Sequence, residues 1–441
     1  MSEFMVGFGR VDITPREPLP LMGYGNTMRR ISANVLDPLY ATCVAVSDGE
    51  GGLVLVLGVD ATVPNYRGYI RETAAKELGI PESCILVNCT HSHSAPDMDA
   101  PHPGVAPAAK ILKDGCVAAV VAAYHDMKPA KAFYGSIEAM GLSSVRHYLM
   151  DDGSYGGDNF GDWTNHKAVK AVWPVDPTMH LLRFVRPGSE DVLVMNWRAH
   201  ASITGGSTKP DISADFVGSV RSFLEAQTGC RFAYWQGCAG NVNPRSRIPE
   251  EDCTRDNDEF GAQLGGYALK CLETLQPLPW GSIRLQEKVL EAKANHTTDH
   301  LLEKAKEIRQ YYSETNDWTG AKAMGAPFGI RTPFAAGGII KRASQPETKN
   351  SNLVCFTLGD TLAVACASHE MFDVTGQFVE DHSPFDHTIV LGYTNGQMGY
   401  MPTLEAWRYT CYESDSTSYA PGTAEQIADT QLEMLKQLKM R

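Results

Sequence analysis

Short apolar segments typical of strands alternate with segments typical of helices along most of this chain, and this alternation restricts the fold more than any other feature. Residues 52–58 (Gly-Leu-Val-Leu-Val-Leu-Gly) have the composition of a buried central strand. Residues 66–78 predict a helix, which Gly79 and Pro81 would end. Residues 109–127 carry apolar side chains at helical spacing. The pattern predicts an α/β architecture.

The second half of the chain continues the pattern. Residues 191–201 and 352–367 predict strands, and residues 299–314 predict a charged amphipathic helix. That helix lies in a polar stretch, which we interpret as a helical insertion at about 285–345. We therefore expect one large domain over residues 1–441 and not two separate domains.

Composition disfavours several classes of partner. The chain has 441 residues and a net charge of −13, which disfavours binding to nucleic acid or to anionic lipid. It lacks a run of about 18 apolar residues, so no membrane span is expected, and its N-terminal residues do not resemble a signal peptide. The 11 cysteines are scattered, which favours buried reduced thiols in a cytoplasmic protein. The oligomeric state is not determined by the sequence.

A pair of histidines follows the apolar run at residues 85–87. On an extended backbone His91 and His93 would project to the same face, and imidazole is a good ligand for zinc. Two ordinary loop histidines are the alternative. The metallo-β-lactamase pattern needs Asp and His where this chain has Ala95 and Pro96, and the repeat of an amidohydrolase barrel is absent. The pair predicts a metal-dependent enzyme.

Three other segments carry polar side chains in suggestive places. On a strand, Asn196, Arg198 and His200 would share one face, either in a site or on a solvated edge. Glu370 follows a second apolar run, where it could bind metal, act as a base or favour a helix N-terminus. Residues 392–419 contain several tyrosines, which by themselves would be packing residues.

Taken together, these segments resemble the neutral (non-lysosomal) ceramidase family. Residues 7–14 are similar to the glycine-rich strand that opens the family's catalytic domain, and residues 90–96 (Thr-His-Ser-His-Ser-Ala-Pro) are similar to its Thr-His-Thr-His-Ser-Gly-Pro. Residues 412–413 and 416–419 match its Tyr-Glu and Ser-Thr-x-Tyr. The resemblance covers nearly the whole chain, and the shared order of the motifs is more specific than any one of them.

The resemblance, together with the alternation of strands and helices, implies an α/β fold with mixed sheets flanked by helices. It also implies a zinc hydrolase that cleaves an amide, with one Zn²⁺ per chain. Carried over by motif, the metal ligands are His91, His200, Glu370 and Tyr400. The residues implied to act on the substrate or the nucleophile are His93, Arg146, Asn243 and Tyr412. Among these, Arg146 corresponds to the arginine that faces the substrate carbonyl. His93 and His369 are the local candidates for a general base.

One departure concerns the reaction itself. The family carries Gly-Asp-Val-Ser-Pro, and here residues 240–244 read Gly-Asn-Val-Asn-Pro. Asn243 replaces the serine regarded as nucleophile, and an amide cannot form an acyl-enzyme. Either metal-activated water attacks directly, with Asn243 hydrogen-bonding the water or the oxyanion, or the chain is an inactive metal-containing homologue that binds a ligand.

A second departure concerns the substrate. Family members are typically secreted and carry an immunoglobulin-like C-terminal domain, which we expect to be absent here. Together with the net charge of −13, this favours a small soluble amide or ester, or a lactone, over ceramide in a membrane.

Overall fold

A computed structural model describes residues 3–25, 27–159, 165–206, 208–254 and 256–440. Within these ranges the strands are, in chain order, β1 Phe4–Asp12, β2 Asn34–Val35, β3 Tyr40–Ser47, β4 Leu53–Val59, β5 Ile85–Cys89, β6 Lys128–Glu138, β7 Ser144–Val145, β8 His147–Met150, β9 Tyr155–Gly157, β10 Ala168–Ala171, β11 Thr178–Val185, β12 Val192–Trp197, β13 Asp211–Ile212, β14 Arg231–Gln236, β15 Val242–Asn243, β16 Gln276–Leu278, β17 Leu285–Lys293, β18 Thr348–Leu358, β19 Leu362–Ala367, β20 Glu370–Met371, β21 His387–Leu391 and β22 Tyr400–Met401. The helices are α1 Arg67–Leu78, α2 Val105–His125, α3 Phe216–Thr228, α4 Asn257–Leu272, α5 Leu302–Thr315, α6 Trp318–Gly325, α7 Pro333–Arg342, α8 Asp373–His382, α9 Leu404–Tyr409, α10 Tyr412–Ser416 and α11 Thr423–Lys439.

Two mixed sheets organise the structure. The main sheet has nine strands in the order β14-β12-β11-β6-β1-β3-β4-β5, with β16 also paired to β6. Its pairs β12–β14 and β4–β5 are parallel and the others are antiparallel. The second sheet has four strands in the order β17-β18-β19-β21, of which β19–β21 is the parallel pair.

The layers explain why β4 is wholly apolar. On one face, Leu55 and Leu57 are buried in a core cluster that also contains Ile70 of α1 and Leu112 of α2. On the other face, Val56 is buried in a second cluster that also contains Phe356, Val364 and Leu391 of the second sheet. A strand covered on both faces has no solvated side to make polar.

The outer face of the second sheet is covered by α8 and α11. Val379 of α8 and Leu435 of α11 share a buried cluster with Ala363 and Ala365 of β19. The fold is therefore a four-layer α/β arrangement of helices, main sheet, second sheet and helices, which confirms the predicted class. Among the described residues, no helix is both long enough and apolar enough to cross a bilayer, and nine of the 11 cysteines are buried.

Two predicted elements are wrong in their bounds. Residues 352–367 do not form one strand but belong to β18 and β19, which pair antiparallel around a turn that begins at Gly359 with φ +72°. The interval 285–345 is not helical throughout, because residues 285–293 form β17 of the second sheet and the helical segment begins at Asp299. The side chains at 287, 289, 291 and 293 of β17 are all exposed, as on a strand with one solvated face.

Candidate active site

The candidate site lies where loops leave the carboxyl ends of parallel strands from both sheets. The loop after β5 carries His91 and His93, and the segment after β12 carries His200. Glu370 follows β19 of the second sheet and forms the short strand β20, where it is paired with Tyr400 of β22. Such strand ends open into crevices in α/β folds.

His91 is oriented by a turn and not by a strand. β5 ends at Cys89, and His91 has φ +61°, so the predicted extended backbone through His93 is wrong. The Nδ1 atom of His91 lies 2.6 Å from the carbonyl oxygen of Thr62. A proton on Nδ1 would donate to that carbonyl and leave the Nε2 lone pair pointing into the site.

His200 is held in the same manner. Its Nδ1 lies 3.1 Å from the carbonyl oxygen of Val242, and its Nε2 lies 3.4 Å from Oε2 of Glu370. The Nε2 of His91 lies 3.2 Å from the same carboxylate oxygen. Two imidazoles oriented by backbone carbonyls thus converge on one buried carboxylate oxygen.

His93 adds a third imidazole to the group. Its Nε2 lies 3.2 Å from Nε2 of His91, and nitrogen atoms of His91, His93 and His200 lie within 4.8 Å of one another. Burial lowers the pKa of His200 to about 4, with the charge of Arg146 acting in the same direction. Burial also holds the pKa of His93 well below its usual range. Neutral imidazole is the form that binds metal.

Glu370 is the buried anion at the centre of the group. Burial alone would raise its pKa, but the imidazoles of His91 and His200 outweigh that effect and hold the pKa well below its usual range. Gln397 donates to Oε1, and the Tyr393 hydroxyl donates to Oε2 at 3.4 Å. Nitrogen and carboxylate donors in this arrangement suit Zn²⁺, so the residues present fit the implied metal.

Arg146 lies beside the imidazoles, held by a buried carboxylate. Its Nε and Nη2 donate to Oε1 of Glu413 at 2.8 and 2.6 Å. Its Nη1 lies 3.2 Å from Nε2 of His200 and donates to Oδ1 of Asn243 at 3.4 Å. His147 Nε2 lies 2.8 Å from the other oxygen of Glu413. Glu413 therefore holds the Nε and Nη2 atoms of Arg146, while Nη1 faces the imidazoles of the site.

Burial would raise the pKa of Glu413, but His147 and Arg146 hold that pKa below its usual range. The hydroxyl of Tyr409 lies 3.1 Å from Nδ1 of His147. A chain of hydrogen bonds thus runs from Tyr409 through His147 and Glu413 to Arg146.

Two tyrosines from the C-terminal segment complete the surroundings of Arg146. The ring of Tyr400 lies 5.3 Å from the guanidinium carbon of Arg146 and 5.5 Å from the ring of Tyr412. Burial raises the pKa of the Tyr400 hydroxyl well above its usual range, and the charge of Glu370 adds to this effect. Phe334 of α7 stacks on Tyr412 with ring centroids 5.6 Å apart, so the helical segment reaches the site through this contact.

Two sequence interpretations are not supported by the contacts. Arg198 and Asn196 do not line a common face with His200, because β12 ends at Trp197 and Arg198 forms ion pairs with Asp176 and Glu380. His369, a candidate base, lies 2.7 Å from the hydroxyl of Ser351 and packs edge-on against Tyr419.

Four residues of the site carried no predicted role. Tyr393 stacks on the ring of His91 at 4.5 Å in addition to contacting Glu370, and Gln397, Glu413 and His147 act as described above. Glu413 was visible as part of the matched Tyr-Glu pair, and His147 as the neighbour of Arg146. Tyr393 and Gln397 gave no signal that distinguished them from packing and loop residues.

Comparison with known proteins finds similarity to neutral ceramidases in sequence and in fold. No family model matches the chain. Over 237 residues, the chain is 24% identical to "Neutral ceramidase 1" of Arabidopsis thaliana, and over 240 residues it is 24% identical to "Neutral ceramidase" of Oryza sativa subsp. japonica. Each match covers 51% of this chain and 29% of the relative, so the aligned part is less than a third of those proteins.

Solved structures extend the likeness to the whole chain. The crystal structure of neutral ceramidase from Pseudomonas aeruginosa superposes with a TM-score of 0.74 at 17% identity, covering all of this chain and 75% of that one. A structure described as ceramidase complexed with C2 gives a TM-score of 0.72 at 19% identity and covers 76% of that chain. The chain is related to the neutral ceramidases. The neutral ceramidase fold therefore extends over the full length of this chain.

Proposed function

We propose that this chain is a zinc-dependent hydrolase that cleaves an amide or ester bond with water. The observation that carries the proposal is the convergence of His91 Nε2 and His200 Nε2 on one oxygen of Glu370, at 3.2 and 3.4 Å, beside the guanidinium of Arg146. In the reaction, the carbonyl carbon gains hydroxide from water, its bond to nitrogen or oxygen breaks, and the leaving group gains a proton.

The residues proposed to hold one Zn²⁺ are His91, His200, Glu370 and Tyr400. When bound, zinc lowers the pKa of water and polarises a carbonyl group. The Nδ1 contacts of His91 and His200 with backbone carbonyls support the assignment, because metal-binding histidines commonly donate their second ring nitrogen in this way.

Arg146 is proposed to stabilise the negative charge that develops on the carbonyl oxygen. Glu413 restrains its Nε and Nη2, so the side chain loses little additional conformational freedom when Nη1 binds the carbonyl oxygen. Loss of a single donor of this kind typically slows catalysis by roughly 10²–10³-fold. Tyr412 supports the arrangement through Tyr400.

His93 and Asn243 are proposed to act on the water and the oxyanion. The Nδ1 of His93 is buried and has no hydrogen-bond partner among the described residues, so it is available to a water or a substrate. Asn243 accepts from Arg146 through Oδ1, and its amide group can donate to an oxyanion. Because this side chain cannot be acylated, the proposed route has no covalent intermediate.

A metal-containing protein that binds its ligand without turnover is the second candidate, favoured by the replacement of the family's serine by Asn243. Zinc analysis combined with a panel of small amides, esters and lactones distinguishes the two. Stoichiometric zinc with no turnover on any substrate of the panel would favour the binding protein.

The assignment of ligands is tested by metal analysis of the wild type, His91→Ala and His200→Ala. We expect the wild type to carry one zinc per chain and both variants to lose most of it. His300→Ala is the matched control, because His300 is exposed in the helical segment. If both site variants keep full zinc, the proposed metal site is wrong.

A further inference from the structure

The helices α5, α6 and α7 form a small body with a core of its own. Buried side chains of all three share one cluster, which contains Ile308 of α5, Ala321 of α6 and Ile339 of α7. Thr332 fixes the start of α7, because its hydroxyl accepts from a backbone amide of the first turn at 2.9 Å. Arg331, the residue before this cap, therefore extends from a rigid support.

Arg331 connects this body with α10. Its Nε and Nη2 donate to Oδ2 of Asp415 at 3.0 and 2.7 Å. A second arginine, Arg342 at the end of α7, is 4% exposed and donates through Nη1 to the backbone carbonyl of Asp415. Gly338 permits this close approach, since a Cβ there would lie 2.9 Å from Nη1 of Arg342 and 3.2 Å from the carbonyl oxygen of Asp415. Two arginines of one body thus hold both the side chain and the backbone of Asp415.

The helix α10 also carries the residue that orients Arg146. Asp415 lies two residues after Glu413 in this five-residue helix, and Glu413 binds Nε and Nη2 of Arg146. Burial raises the pKa of Asp415, and the charge of Arg331 opposes that effect. Removal of Arg331 would take the ion pair away from a partly buried carboxylate, which favours a shift of α10 towards water.

We propose that Arg331 is a positioning residue of the hydrolase, which holds Asp415, fixes α10 and so keeps Glu413 where it orients Arg146. This inference rests on the proposed hydrolase function. Arg331 acts on the reaction only through Asp415 and Glu413. Because Arg146 is proposed to act on charge that develops in the transition state, loss of Arg331 should lower kcat and leave KM and zinc content unchanged.

Loss of Arg331 should leave the fold intact, because the residues that follow α10 are held independently. The Nδ2 of Asn295 donates to the carbonyl oxygen of Thr417 at 3.1 Å. The Nε2 of Gln345 donates to the carbonyl oxygen of Ser418 at 3.1 Å. A variant at position 331 therefore tests the position of α10 and not the attachment of the whole C-terminal segment.

The test measures kcat and KM of the zinc-loaded protein with 4-nitrophenyl butyrate, and His91→Ala serves as the blank. We expect Arg331→Gln to lower kcat by about 10-fold with KM unchanged, because misplacement of a catalytic group by about 1 Å can cost up to about 10²-fold. Arg331→Lys should restore part of the loss. Arg183→Gln is the matched control and should keep the wild-type kcat, because Nε and Nη2 of Arg183 in β11 donate to Oδ2 of Asp191 at the same 3.0 and 2.7 Å.

A double-mutant cycle tests the route through Glu413. If Arg331 acts through Glu413, adding Arg331→Gln to Glu413→Gln should lower kcat by less than about 2-fold, whereas independent effects would multiply. Hydrogen exchange gives a readout that needs no turnover. Backbone amides of residues 411–417 and 144–147 should exchange faster in Arg331→Gln than in the wild type or in Arg183→Gln.

Failure of this inference differs from failure of the proposed function. If the wild type hydrolyses the ester and Arg331→Gln keeps the wild-type kcat, or if the effects of Arg331→Gln and Glu413→Gln multiply, the positioning role is wrong and the hydrolase stands. If the wild type is no more active than the blank, the hydrolase is contradicted for this ester, and hydrogen exchange decides the inference. Faster exchange at both segments in Arg331→Gln supports it, and exchange equal to that of Arg183→Gln overturns it.

Discussion

Asn241 and Asp373 exchange two hydrogen bonds in the interior of the protein. The Nδ2 of Asn241 donates to Oδ1 of Asp373 at 2.6 Å, and the backbone amide of Asp373 donates to Oδ1 of Asn241 at 2.8 Å. The pair connects the residue before β15, which contains Asn243, with the first residue of α8. It also explains why this chain has asparagine where the resembled motif has aspartate, since a second carboxylate would face the first.

Asn241→Asp should therefore destabilise the protein in a manner that depends on pH. Burial already raises the pKa of Asp373, and two facing carboxyl groups would share a proton. A carboxyl pKa raised in the folded state means that stability is lost as pH rises from about 4 to 7. Urea unfolding at pH 5 and pH 8 should show a loss of about 2–3 kcal/mol, larger at pH 8. The exchanged double variant Asn241→Asp, Asp373→Asn should recover part of this loss, and an equal loss at both pH values would contradict the explanation.

Glu370→Gln should weaken zinc binding strongly while the fold is kept. The change removes the carboxylate that both His91 and His200 contact, and a neutral amide is a poorer ligand than a carboxylate. Competition with a zinc-binding dye should show a loss of at least about 10²-fold in affinity. Tyr393→Phe, which removes only the hydroxyl that contacts Glu370 at 3.4 Å, should cost no more than about 10- to 100-fold. Equal affinities in Glu370→Gln and wild type would remove Glu370 from the metal site.

Glu413→Gln should separate catalysis from metal binding. The substitution keeps the shape of the side chain but removes the charge that holds Arg146 and pairs with His147. We expect kcat to fall by about 10²-fold while zinc stoichiometry stays at the wild-type value. His147→Gln should give a smaller decrease in kcat, because Arg146 keeps its direct ion pair with Glu413. Loss of zinc in Glu413→Gln would show that this carboxylate supports the ligands and not the arginine.

The absence of an acylatable side chain at position 243 predicts direct attack by water. Hydroxylamine added during turnover should give no hydroxamate beyond the uncatalysed background, since no acyl-enzyme is available to be trapped. Asn243→Ala should lower kcat by about 10- to 10²-fold with zinc retained, because a hydrogen bond to Arg146 and a donor to the oxyanion are lost. Hydroxamate formed by the wild type would point to another nucleophile.

The layered fold was largely predictable from sequence because its signal is local. A strand such as β4 is apolar on both faces, and α1 and α2 show helical spacing close to their observed bounds. The turn at Gly359 was missed because the apolar runs on its two sides read as one strand. The strand β17 was missed because its consecutive polar residues 286–288 hide the two-residue period of a strand and resemble the charged helix that follows.

The site was predictable only as a set of residue types. The resemblance named His91, His200, Glu370 and Tyr400, but the left-handed backbone at His91 could not be derived from an apolar run followed by His-x-His. Tyr393 contacts Glu370 and His91 from a loop after β21, and a buried tyrosine in a sequence has no mark that separates packing from a polar role. Contacts of this kind depend on where separate strand ends meet, which is a property of the folded chain.

The two histidines come from loops of the main sheet, whereas Glu370 and Tyr400 come from segments attached to the second sheet. An ion held by all four would cross-link the main sheet and the second sheet. Movement of one sheet relative to the other would then require breaking a bond between the ion and a ligand. Metal-free protein should therefore exchange its buried amide hydrogens faster along β19 and β21 than metal-loaded protein does.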